Sequence, residues 1–275
     1  MTATTVTTDA GRRRGGVRAL WAGNPQAVVQ RGLLAARSSS WLVVVSGFFE
    51  PVFFLASMGI GLGGLIGEVE TSGGAQVPYA AFIAPALLAV SAMNGAIYDS
   101  TWNVFFKLNY GKLYEGMLAT SLGPLDVALG EILYALLRGL LYATGFMIVM
   151  QLLGLNLAWT AILALPTVLI IAFGFASLGM AVTSYMKTFQ QMDWINFVLL
   201  PMFLFSATLY PITVYPEWVQ GVIMAFPLWH GVELLRGFTT GVMSPDMGWH
   251  FLYYAVMIAV GLVFTTKRLR ALFLD

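Results

Sequence analysis

The chain has 275 residues, of which 59% are hydrophobic and only 10% charged, and its mean hydropathy is +0.80. Soluble domains carry roughly a quarter charged residues, so this composition excludes a water-soluble fold: the polar side chains cannot coat a core of this size. With no cysteine and two histidines there is no disulfide framework, no thiolate site and no basis for a metal cluster, while the net charge of +1 conceals a strong segregation of the basic residues.

Arg12, Arg13, Arg14, Arg18, Arg31 and Arg37 all precede the first long apolar run. Residues 1–24 read as a cytosolic basic tail. Six arginines without a folded basic domain behind them do not make a nucleic-acid partner, and an apolar run that begins only near Trp41 is too late and too long for a cleaved signal peptide. Asn24-Pro25 reads as N-cap and N1 of an interfacial helix over residues 25–40. Val28, Val29, Leu33 and Ala36 recur on its apolar face, which dips into membrane lipid while the arginines reach headgroups.

Six stretches are long and apolar enough to cross the hydrocarbon as helices. They run from Trp41 to Ile66, Pro78 to Phe105, Val127 to Leu153, Ala158 to Tyr185, Trp194 to Leu209 and Trp249 to Thr266; the fifth is the shortest. A cytoplasmic N-terminus places Lys107, Lys112, Lys187, Lys267, Arg268 and Arg270 inside with the tail, leaving only Arg138 within a span and Arg236 in an outer connection. The positive-inside rule therefore predicts that both termini, including the short end 271–275, are cytoplasmic. The expected fold class is an all-α integral membrane protein of six transmembrane helices spanning residues 41–270, with an N-terminal interfacial helix and an outer re-entrant segment.

The connections differ in information. The outer link Glu68 to Val77, with Thr71-Ser72-Gly73-Gly74, reads as a short flexible loop. The inner segment 107–125 mixes charge, aromatics and glycines before the breaker Gly123-Pro124 and predicts a short cytosolic helix. Polar on one side and aromatic on the other, it suits docking into a groove of a soluble partner; a merely solvated loop is the alternative. The outer segment 210–248 is too long for a turn and too apolar for a solvated loop. Trp218, Val219, Val222, Ile223 and Phe226 form one apolar stripe and Leu228 to Phe238 another, predicting two half-inserted helices that pack on protein near an outer vestibule.

Ionisable residues inside apolar runs are Glu50, Asp99, Glu131, Arg138, Glu233 and Arg236. Each is unfavourable in hydrocarbon by about 2.5–3.5 kcal/mol on insertion scales, so each needs a partner or a polar cavity. Glu131 and Arg138 stand seven apart and look to neighbouring helices; Glu233 and Arg236 sit at i,i+3 and can pair with each other. Structural pairing and a cargo pathway are both open readings. Gly59-x-Gly61-x-x-Gly64 lacks the strand context of a dinucleotide fingerprint; Gly59, Gly63 and Gly67 fit close approach of another helix instead. His230 beside Glu233 lacks the second histidine of a metalloprotease helix, Asp99, Ser100 and His250 do not define a triad, and no phosphate-binding glycine loop is present.

Phe49-Glu50-Pro51-Val52-Phe53-Phe54-Leu55 with Gly59-Ile60-Gly61-Leu62-Gly63, and Ala84-Pro85-Ala86-Leu87-Leu88-Ala89, are similar to the opening spans of ABC-2 type permeases, especially nodulation-factor (lipo-oligosaccharide) exporter permeases. Tyr114-Glu115-Gly116-Met117-Leu118-Ala119-Thr120 with Gly130-Glu131-Ile132 resembles the family's coupling segment and its entry into the third span. Phe226-Pro227-Leu228-Trp229-His230 with Arg236-Gly237 resembles its outer re-entrant segment. The chain departs from the pattern at Ser121, where proline is common, and at Ser206-Ala207 ahead of Tyr210-Pro211. The resemblance, over roughly residues 40–270, implies a permease subunit of a plasma (inner) membrane exporter that pairs with a second copy of itself or a paralogue and moves an amphipathic cargo: a glycolipid, lipo-oligosaccharide or hydrophobic drug. It implies an ATP-binding cassette subunit as partner, with ATP and magnesium held there and no cofactor or enzyme chemistry in this chain. Lys112, Leu113, Tyr114, Glu115, Met117, Leu118 and Thr120 are then the coupling residues, and Glu50, Asp99, Glu131 and Arg138 the candidate pathway charges. Trp218, Phe226, His230, Glu233 and Arg236 mark the re-entrant segment. An ATP-independent secondary transporter or channel, and an intramembrane enzyme, are the competing readings; six spans without an evident inverted repeat weigh against the first.

Overall fold

The computed structural model describes residues 21–36 and 49–273. The tail arginines Arg12, Arg13, Arg14 and Arg18, together with Arg37 and the opening of the first span from Trp41, lie outside the described residues.

Helix α1, Pro25–Ala36, forms where the sequence predicts a helix, and one side of it is committed to protein. Val28 is buried, and a Cβ added to Gly130 would stand 2.5 Å from it and 2.7 Å from the Pro25 carbonyl oxygen. Glycine at 130 is thus what lets α1 lie directly on the third span. Leu33 and Leu34 remain exposed, so the apolar face is divided between protein and the outside.

Five helices are long and apolar enough to cross a membrane: α2 (Phe49–Ile66), α3 (Tyr79–Tyr110), α5 (Pro124–Leu152), α6 (Trp159–Thr183) and α10 (Met247–Phe273). Helix α3 is the central one, buried from Ala81 through Val90 by the helices around it. It runs on through π-helical turns at Asp99–Asn103 and Phe106–Tyr110, five residues past the expected end, so Lys107 belongs to its last turns and not to the inner connection. Helices α6 and α10 pack most closely at Gly261, where an added Cβ would meet the Ser177 backbone at 2.6 Å. Helix α10 continues past Thr266, and Arg268 lies 4.8 Å over the Tyr185 ring.

One expectation is corrected and two are met only in part. The Glu68 to Val77 link is an antiparallel hairpin, β1 (Glu68–Glu70) with β2 (Gln76–Pro78), so the fold is not strictly all-α. The turn is ordered because Gly74 takes φ +81° and the Ala75 N–H donates to Thr71 Oγ1 at 3.2 Å. Of the Gly59, Gly63, Gly67 stripe, only Gly59 lies close to another helix among the described residues, where an added Cβ would stand 3.2 Å from Ala80 Cβ; Gly63 and Gly67 face open space. The fifth expected span is a 13-residue helix, α7 (Asp193–Phe205), interrupted by Pro201. At 1.5 Å per residue it covers about 20 Å, short of a hydrocarbon core of about 30 Å.

Beyond α7 the chain breaks at the buried Ser206-Ala207-Thr208, with Ala207 at φ +53°, and then forms α8 (Glu217–Met224) and α9 (Pro227–Thr240). Between α3 and α5 lies the short α4, Leu113–Leu118.

Candidate functional site

On the side of α1 and α4, two acidic residues of α5 gather the chain. Asp126 is fully buried and accepts backbone N–H bonds from Ala22 (2.7 Å), Asn24 (2.8 Å) and Gly123 (2.9 Å). It caps its own helix at N3 while pinning the entry to α1, which is why Asn24 holds its place through tertiary contact. Glu131, one turn further, receives Arg31 Nη2 of α1 at 3.2 Å and Lys107 Nζ of α3 at 2.5 Å. One carboxylate thus ties three helices together.

Helix α4 leaves α3 within a few residues of Lys107. Lys112 takes the left-handed conformation (φ 46°, ψ 27°) and starts it in a new direction. Its residues divide by face. Lys112, Leu113, Glu115 and Thr120 are exposed and Met117 is half-buried, whereas Tyr114 and Leu118 turn into the chain. Tyr114 and Leu118 are therefore corrected from contact residues to anchors. The Tyr114 hydroxyl is sealed without a hydrogen-bond partner among the described residues, and burial, then the Glu131 charge, pushes it well above the ordinary phenol range. It remains a neutral hydroxyl beside the ion cluster.

Deeper, a cavity of about 880 Å³ opens between α2, α3, α5 and α7. Glu50 and Arg138 line it with Asn94 and Asn196 and the rings of Tyr98 and Trp102. Asp99 stands behind Arg138, which donates through Nη2 to Asp99 Oδ1; Asn103 donates to the same oxygen at 2.6 Å. The structure thus joins Arg138 to Asp99 and Glu131 to Arg31 and Lys107, and brings Glu50 to the cavity wall with Arg138 but without an ion pair among the described residues.

At the opposite end, Arg236 and Glu233 pair as their spacing predicts, at 2.7 Å. Arg236 does more: its guanidinium carbon lies 3.8 Å over the Phe82 ring and its Nη2 donates to the Ala207 carbonyl at 3.0 Å. That bond satisfies backbone freed where α7 breaks. Phe226 is the half-buried residue at the start of α9, whereas Trp218 projects from α8, 76% exposed.

His230 and His250, the chain's two histidines, meet with Nδ1 atoms 2.6 Å apart, and Tyr253 stacks on His230 at 4.1 Å between centroids. One Nδ1 must donate and the other accept. Burial, then the neighbouring His250, lowers the pKa of His230 to about 4. Between 6.5 and about 4 the unfolded chain takes up a proton that folded His230 refuses, so the stability this pair contributes is present above 6.5 and lost as pH falls through that window. The expected result is a thermal midpoint that drops on acidification over that range, with the drop reduced in His230→Gln. An equal drop in both proteins rules the pair out as its source.

The sequence singled out Glu131 without its partners and passed over Asp126, although an acid at N3 behind Gly123-Pro124 is a readable capping signal. Arg31 and Lys107 join across about 100 and 24 residues of sequence, and the histidines across 20; no local pattern encodes those meetings.

A sequence model of the family described as ABC-2 type transporter matches residues 25–239. The chain is 31% identical over 259 residues to Nodulation protein J of Rhizobium leguminosarum bv. viciae, covering 93% of this chain and 98% of that protein. Against Nodulation protein J of Bradyrhizobium diazoefficiens it is 32% identical over 215 residues (78% and 80% covered), and against that of Rhizobium meliloti 27% over 246 residues (89% and 92%). With its run of membrane-length helices and a family match that spans α1 to α9, this multi-pass membrane protein belongs to the ABC-2 type transporter family.

Proposed function

We propose that the chain is the membrane-spanning permease subunit of an ATP-driven exporter, which forms with a second copy the path of an amphipathic cargo while a separate ATP-binding subunit hydrolyses magnesium ATP. The observation that carries this reading is α4: an exposed face of Leu113, Glu115 and Thr120 mounted on a buried Tyr114 beside the Glu131 cluster. A partner that pushes on this face displaces a unit rooted in α1, α3 and α5, the helices that also hold Asp99 and Arg138 of the cavity. Differential contact of the partner with two arrangements of this unit supplies the energetic link.

Several features support the rest. The basic residues favour cytoplasmic termini in the plasma (inner) membrane and six crossings, the fifth being α7 completed by the returning outer segment. Helices α2 and α7 leave Phe53, Leu65, Phe197 and Leu200 more than half exposed, an apolar surface suited to a second permease. Glu50, Asp99 and Arg138 then belong to the pathway, and Glu131 to the coupling of α4 with the spans.

Glu115→Lys is expected to reduce recovery of the ATP-binding subunit with the tagged permease from detergent extracts by roughly tenfold, the scale of a lost charge-assisted contact. Tyr114→Phe, which keeps the buried ring, leaves recovery unchanged. Undiminished recovery with Glu115→Lys contradicts the docking assignment.

A further inference from the structure

The charge balance of the membrane cavity indicates what it carries. The ionic groups on its wall are Glu50 and Arg138. Arg138 is already neutralised: its Nη2 is engaged with Asp99 and its Nε is sealed from solvent, so it offers little unspent charge to a ligand. Glu50 is exposed to the cavity and makes no ion pair among the described residues. A carboxylate at membrane depth is unfavourable by about 2.5–3.5 kcal/mol unless water or a cation meets it. Around it stand the rings of Phe54, Tyr98, Trp102 and Phe203, whose faces attract cations and whose area suits an apolar body. A volume of about 880 Å³ lies within the range of sites that enclose a drug-sized molecule.

We propose that this cavity selects an amphiphile bearing a cationic group, with Glu50 as its counter-charge and the surrounding rings as the seat of its apolar part. This rests on the reading of the cavity as the cargo pathway. Arg138 is paired with Asp99, whose Oδ1 also accepts from Asn103, so Glu50 is left as the uncompensated charge of the wall among the described residues.

The test uses two probes of the same four-phenyl shape and opposite charge, tetraphenylphosphonium and tetraphenylborate, with the full-length chain in lipid nanodiscs and empty nanodiscs subtracted in equilibrium dialysis. Saturable binding of tetraphenylphosphonium alone is expected, weakened roughly tenfold or more by Glu50→Gln and largely kept by Glu50→Asp. Equal saturable binding of tetraphenylborate, or tetraphenylphosphonium binding that Glu50→Gln leaves untouched, overturns the proposal. Ser91→Trp with Leu199→Trp, which narrows the cavity from α3 and α7, separates the two levels. If it abolishes probe binding while Glu50→Gln does not, the pathway reading stands and the charge assignment falls. If tetraphenylphosphonium still binds fully to that double variant, the cavity is not its site and the pathway reading falls with the proposal.

Discussion

Arg236→Leu is expected to destabilise the chain by about 3–5 kcal/mol, the range for removing one partner of a buried ion pair. The change leaves Glu233 as a largely buried acid without its partner and strips the Ala207 carbonyl of its donor at the point where α7 breaks. It also removes the cation above Phe82, in the most deeply buried stretch of α3. Loss of the outer segment, α8 and α9, should precede loss of the remaining helices, so protease cleavage between Tyr210 and Pro227 is expected at temperatures where the native chain resists. Glu233→Leu together with Arg236→Leu should recover part of the loss, because the orphaned carboxylate is gone while the orphaned carbonyl is not. A thermal midpoint for Arg236→Leu equal to that of the native chain shows that this network does not hold the segment.

The second large effect is expected at Glu131. In Glu131→Ala, Arg31 and Lys107 lose the carboxylate between them, and α1 and α3 lose their shared tie to α5. Asp126 still pins Ala22 and Asn24, so α1 stays attached by its beginning. The chain should therefore assemble with the ATP-binding subunit, and hydrolysis should continue, while cargo moved per ATP falls roughly tenfold or more; about 1.4 kcal/mol of lost coupling is already one decade. Glu131→Asp keeps the charge and should restore part of it. A fall in hydrolysis and transport by the same factor in both variants marks Glu131 as a structural residue only.

Much of this architecture is legible in the sequence because lipid leaves few options: a backbone in hydrocarbon must satisfy its own hydrogen bonds, so apolar length announces a helix. The i,i+3 pairing of Glu233 with Arg236 and the helix after Lys112 are local patterns of the same kind. What the sequence conceals is the set of meetings between distant segments. Nothing near Arg31 indicates Glu131, and neither histidine indicates the other. Tyr114 misleads for a related reason. An aromatic on a short amphipathic helix looks like a docking residue, but which face a helix of six residues presents depends on the tertiary packing beneath it. The shortness of α7 is visible as the least extended apolar run; that the break after it is pinned from α9 by Arg236 is not.

The central claim is that this chain is the lipid-embedded half of a pump whose motor is another polypeptide. It is tested most directly by uptake of a radiolabelled lipo-oligosaccharide into inside-out proteoliposomes holding the chain alone, or the chain with the proposed ATP-binding subunit. Accumulation is expected only when both polypeptides, magnesium and ATP are present, and accumulation by the chain alone, driven by an ion gradient and indifferent to ATP, contradicts the account.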